Sequence, residues 1–166
     1  MKKFKLIVWI MALFIIEVTV MNRIRFFNSA PDLVFAFAIV YAMIEEEYEY
    51  AIGAAIICGI CTGSVCSESF AVSTLMYSYG AIIIKTFENK LRYIPDFVKA
   101  LFSTLVMSAV GEAIMYFALN LSFEMSVLWR VILPFCTCNT VAAAILYPIV
   151  KKTMVIVDEK KKLIPE

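Results

Sequence analysis

Long apolar runs alternate with short polar breaks along this chain. Between the breaks the apolar positions follow neither the alternation of a half-buried strand nor a narrow helical stripe. They are nearly continuous, as in LIVWIMALFIIEVTV or VILPFCTCNTVAAAILYPIV. A run of that kind reads as a helix surrounded by lipid or protein on every side. The runs predict six helices, over residues 6–21, 31–44, 50–65, 70–87, 97–119 and 127–150. A spanning helix needs about 20 mostly apolar residues at a rise of 1.5 Å each. Six helices with short connections therefore use nearly the whole chain. The fold class is an all-α polytopic membrane bundle, and residues 1–166 read as a single integral membrane domain. The second helix is short for a full span.

Several helix boundaries have a local cause. Asn28 or Ser29 can cap the second helix, Pro31 suits its first position, and Asp32 favours its positive end. The same dipeptide, Pro95-Asp96, precedes the fifth helix, and we read the pair as two ordinary starts rather than an internal repeat. Pro134 falls inside the sixth helix and predicts a kink, with Thr137 or a neighbouring helix satisfying freed carbonyls. Pro148 predicts the end of that helix before Lys151 and Lys152. In the third helix Ala51, Ala55, Gly59 and Gly63 recur every four residues. That ladder of small residues lets another backbone approach closely, and packing within the chain is the favoured reading.

Composition sharpens the class. Hydrophobic residues make up 63% of the chain, against roughly 45–50% in soluble domains. The net charge of +1 gives no reason to expect nucleic acid. Its distribution is informative. With the N-terminus inside, 12 of the 15 Lys and Arg residues flank inner helix ends, and Arg23, Arg25 and Arg130 lie outside. That bias predicts both termini in the cytoplasm and an even number of spans. The start, MKKFKLIVWIMALFIIEVTV, is shaped like a signal peptide but lacks a small-residue cleavage site, so it reads as an uncleaved first helix.

Candidate chemistry is sparse. Glu17, near the outer end of the first helix, is within reach of lipid headgroups. Glu112, in AVGEAIMYF, is deeper and must be neutral, paired or facing a polar cavity. Asn139 and Thr140 are its candidate partners. A structural polar contact is favoured over a proton or ion relay, because no second buried titratable group is evident. Cys58, Cys61, Cys66, Cys136 and Cys138 lie in apolar surroundings, and the chain has no histidine. We therefore expect neither a metal site nor any other cofactor. The triplet Asn120-Leu121-Ser122 reads as a chance sequon. No catalytic pair and no Gly-rich phosphate loop appears, so no enzymatic activity is expected.

Two stretches resemble the rod shape-determining protein MreD family. The first is SAPDLVFAFAIVYAMIEEEYEYAIGAAIICGICTGSVCSESFAVSTLMYSYGAII, residues 29–84. It is similar to that family's Pro-Asp-Leu, helix, polar turn and Gly-rich helix. The second is VILPFCTCNTVAAAILYPIVKK, residues 131–152, similar to its closing Leu-Pro, Asn-Thr, Tyr-Pro and basic residues. The matching positions are Pro31, Asp32, Gly53, Gly59, Pro134, Asn139, Tyr147 and Pro148, most of them read as structural. The chain departs from the family at Gly63, where many members are acidic, and at Ser67-Glu68-Ser69, where many have a Gly-x-Pro turn.

The resemblance implies a non-enzymatic scaffold of the bacterial elongation machinery, multi-pass in the cytoplasmic membrane. It implies partners too: an MreC-like protein first, then MreB, RodA and its transpeptidase, with membrane lipid around the bundle. Pro31, Asp32, Gly59, Gly63, Glu112, Pro134 and Asn139 are the candidate structural or partner-contact residues. The implied fold is also similar to the substrate-binding S components of energy-coupling-factor vitamin transporters, which supply the alternative function. Against it, the first helix lacks the Ala-x-x-x-Ala docking face of such subunits.

Overall fold

The computed structural model describes residues 2–23, 30–65, 70–88, 93–118 and 128–162. Six α-helices follow one another: α1 (Lys2–Thr19), α2 (Leu33–Ile44), α3 (Tyr48–Val65), α4 (Phe70–Glu88), α5 (Asp96–Ala118) and α6 (Leu133–Lys162). A 3₁₀ turn, Met21–Arg23, follows α1, and a π-helical turn, Leu128–Ile132, leads into α6. Among the described residues there is no strand.

The bundle is organised around α2, which touches each of the other five helices. Every residue from Val34 to Met43 is buried. That explains both its uniform apolarity and its length. Twelve residues reach about 18 Å, well short of a hydrocarbon core of about 30 Å. A helix walled by protein on all sides has no need to match the lipid. The longer helices around it do. Helices α3 to α6 are each long and apolar enough to cross a membrane, whereas α1 carries Lys2, Lys3, Lys5 and Glu17.

The outer helices bury one side and expose large apolar groups on the other. In α1, Leu6, Ile10 and Leu13 face inward at helical spacing, while Phe4 is 72% exposed. Phe102, Phe117 and Trp129 are also more than half exposed. In water such a surface would be one continuous adhesive patch. Against lipid chains it carries no such penalty. Together with four helices long and apolar enough to span, it points to an integral membrane protein.

The tightest pairing is α3 on α4. A Cβ added at Gly59 would lie 2.7 Å from Thr74 Cα, and one at Gly63 would lie 3.1 Å from Phe70 Cα. Both glycines face another helix of the same chain, and the missing side chains set how near its backbone comes. Gly53, on the same helix, has nothing within 4 Å of that position.

Three boundaries differ from expectation, each for a physical reason. Asp32 itself caps α2, so Pro31 stands one residue before the cap rather than at the first helical position. Asn28 and Ser29 lie outside the described residues. Pro134 sits in the first regular turn of α6, directly after the π turn Leu128–Ile132, so the irregular helical bonding falls just ahead of the proline. Thr137 Oγ1 donates to the Pro134 carbonyl at 2.8 Å. Finally, α6 does not end at Pro148 but continues to Lys162. Proline interrupts one backbone bond there, and the segment beyond it, with five lysines up to Lys162 and no glycine or further proline before then, can continue the helix.

Candidate functional site

At one end of the bundle α3 and α5 finish while α2, α4 and α6 begin. Polar side chains from all six helices meet there around Asp32. As the N-cap of α2, Asp32 accepts from the Phe35 N–H through Oδ1 at 2.7 Å. Its Oδ2 accepts from the Tyr77 hydroxyl of α4 at 2.7 Å. The Tyr77 hydroxyl also bonds Thr62 Oγ1 of α3, 3.1 Å away. The Asp32 backbone N–H donates to Asn139 Oδ1 of α6 at 2.8 Å, and Asn139 Nδ2 donates to Ser108 Oγ of α5 at 3.2 Å. From α1, Glu17 Oε2 accepts from the Val34 N–H at 2.8 Å. The Glu17 and Asp32 carboxyl groups are close enough to interact directly.

The arrangement follows from helix ends. The first N–H groups of α2 have no partner within the helix, and in an apolar bundle no water reaches them freely. Asp32 and Glu17 satisfy two of them with carboxyl oxygens that meet the positive end of the helix. Asn139 and Ser108 are almost fully buried, at 0% and 1% exposed, so their mutual bond satisfies what would otherwise be orphaned groups. Among the described residues no buried side-chain nitrogen or oxygen lacks a partner.

Beside this network lies a recessed cavity of about 220 Å³. Asp32, Thr62, Ser73, Tyr77, Ser108 and Glu112 give it a polar wall, and Phe35, Met76 and Met115 an apolar one. Glu112 does not bond Asn139 or Thr140. Asn139 is committed to Asp32 and Ser108, and Thr140 donates to the Cys136 carbonyl of its own helix. Nor is Glu112 alone at this depth, since Glu17 and Asp32 stand nearby. Glu17 turns inward to α2 instead of outward to headgroups.

A sequence model of the rod shape-determining protein MreD matches residues 2–157. The chain belongs to the MreD family. No curated protein and no solved structure matches it. Membership carries a role in determining rod cell shape, in a family of shape-determining membrane proteins that is not a known enzyme family.

Of the residues singled out in this MreD-family sequence, the structure brings Asp32, Asn139 and Glu112 to one end of the bundle. Pro31 is buried immediately before the cap, beside an apolar groove between α2 and α6. Gly59 and Gly63 lie on the α3–α4 seam, and Pro134 in the first turn of α6. Sequence reading missed Thr62, Tyr77 and Ser108, whose types are unremarkable in any membrane helix. It saw Glu17 but not its direction.

The opposite end is built differently. Tyr41 donates to Glu45 at 2.6 Å, and Lys99 of α5 pairs with Asp96 at 2.9 Å. Phe97 packs edge-on against Tyr147 of α6, and the Lys151 ammonium sits over the same tyrosine ring.

Proposed function

We propose that this chain is a non-enzymatic scaffold of the bacterial elongation complex. It crosses the cytoplasmic membrane six times with both termini inside. An MreC-like protein is its first partner, and MreB, RodA and the RodA-associated transpeptidase work in the same complex. By holding them together it organises lateral peptidoglycan synthesis.

The observation that carries the reading is the Asp32 network. Side chains from all six helices are spent on one another, which suits a rigid body with fixed outer faces. Family membership supplies the cellular role. The Lys and Arg distribution supports the orientation, with the Asp32 end outside and the Lys99 end inside. The first helix, with one alanine and no glycine, offers no small-residue face for docking an energising subunit, which speaks against a vitamin carrier.

The test is depletion in the host, with cell shape followed by microscopy and partners recovered by membrane crosslinking. Rounded, widening cells and crosslinks to an MreC-like protein are the expected result. Unchanged shape together with an intact elongation complex would overturn the scaffold.

A further inference from the structure

The cavity beside Asp32 has a chemical asymmetry that the network does not use. Asp32 is committed, with one carboxyl oxygen to Phe35 N–H and the other to Tyr77. Ser108 is held by Asn139, and Thr62 by Tyr77. Glu112 has neither a hydrogen bond nor an ion pair among the described residues, yet it lines the same recess, half-buried, about four turns into α5. Among the described residues no Lys or Arg lines the cavity.

We propose that this cavity receives a primary ammonium group, with Glu112 as its counter-ion. Three features of the recess point there. A carboxyl group at membrane depth is costly unless a cation or a polar cavity meets it. The surrounding groups are acceptors in the right number. An ammonium has three N–H donors and no acceptor, and Glu112, Ser73 and the unshared lone pairs of Ser108 and Asp32 can accept them. The volume also fits. At roughly 30 Å³ per water, 220 Å³ holds about seven waters, or an ammonium on a few methylenes. The methylenes would lie against Phe35, Met76 and Met115. Such a group can come from a lysine side chain of a membrane partner or from a small amine, free or on a lipid headgroup. The chemistry is the same in each case.

A carbodiimide that partitions into membranes tests this and separates the sources. It activates a carboxyl group, a neighbouring amine attacks the activated carbon, and the urea leaves, so an amide records which amine was there. Native membranes would be treated, and the peptide carrying Glu112 read by mass spectrometry. An amide to a lysine of another polypeptide identifies a partner. An amide to a small amine or aminolipid identifies a ligand. Only the reagent's own adduct on Glu112 would overturn the proposal.

The purified full chain, given n-propylamine, supplies the second measurement. Amide at Glu112 should reach half its maximum at a concentration about tenfold lower than at the exposed Glu46 and Glu47, a difference of about 1.4 kcal/mol. Glu112→Gln should abolish that amide and leave the exposed ones. Equal concentration dependence at the three carboxyl groups, or no amide at Glu112, would also overturn it.

Discussion

Two helices of this protein start at Pro-Asp, and the two aspartates do opposite work. Asp32 enters the bundle, caps α2 and bonds to α4 and α6. Asp96 opens α5 from the surface, with its side chain 58% exposed, and among the described residues meets Lys99 three residues on. The dipeptide is the same; the difference lies in the helix that each one opens. Asp32 opens a helix buried on every side, so its cap has nowhere to point but inward. Asp96 opens a helix with one face to lipid, beginning at the end of the bundle where water is near. A cap in water exchanges one hydrogen bond for another, whereas a cap inside an apolar bundle satisfies groups that have no second choice.

The largest expected effect breaks the buried member of the pair. Asp32→Ala removes the cap and so orphans the Phe35 N–H, at about 1–2 kcal/mol, and leaves the Tyr77 hydroxyl with Thr62 alone, at about 1 kcal/mol more. We expect a loss of about 3 kcal/mol, measured as a fall in the unfolding midpoint of the purified protein in detergent. Asp32→Asn should recover most of it. Its Oδ1 can still accept from Phe35, and its amide can donate to Tyr77, whose hydroxyl then turns to accept. An Asn variant as damaged as the Ala variant would show that the charge itself, not the capping geometry, holds the network.

Next is the arm to α6. Asn139→Ala orphans the Asp32 N–H and frees Ser108, for an expected loss of about 2 kcal/mol. Ser108→Ala alone should cost about 0.6 kcal/mol, near the average for a hydrogen bond between membrane helices. The double variant should then cost less than the sum, because the two singles remove one shared bond.

The network can also be disturbed without touching any of its polar atoms. A methyl group at Gly59 would press on Thr74 Cα at 2.7 Å and on Tyr77 Cβ at 3.3 Å. It would push α4 away and draw the Tyr77 hydroxyl off Asp32. Gly59→Ala should cost about 1–3 kcal/mol by overpacking. Gly53→Ala, with open space around it, should be neutral or stabilise by up to about 1 kcal/mol. Equal effects at the two positions would show that α3 and α4 adjust freely, and that the small-residue ladder does not fix Tyr77.

How much of this was legible in the sequence depends on the range of each signal. Six helices are written in local hydropathy, and the described helices fall where the apolar runs do. The Gly59–Gly63 ladder is a four-residue pattern, and it too could be read locally. The Asp32 network could not. Asp32 and Asn139 are 107 residues apart, and Asp32 and Tyr77 are 45 apart. No periodicity links them. The faint signal was a carboxylate in each of two apolar helices, Glu17 and Glu112, with an asparagine in a third. Polar groups that cannot be lipid-facing must look for one another. Reading them as a set, instead of one at a time, would have pointed to a shared polar centre but not to its members. The shortness of α2 was visible as well, but its cause is the five helices around it, which only the assembled bundle contains.

The smallest expected effect completes the comparison. Asp96→Ala removes one partly exposed ion pair and a favourable charge in the first turn of α5. Exposed pairs of this kind are worth about 0.2–1 kcal/mol, and the attraction weakens as salt screens it. The point of interest is Lys99, whose side chain is only 7% exposed. Its stem can lie along apolar neighbours while the ammonium reaches the interface, so losing Asp96 should leave it solvated. The Asp96→Ala midpoint should then fall by no more than about 1 kcal/mol, and the difference from wild type should shrink in high salt. If the loss instead matches that of Asp32→Ala and ignores salt, Lys99 is a buried charge that needs its carboxylate. The two Pro-Asp starts would then be alike, each holding one end of the bundle through a buried partner.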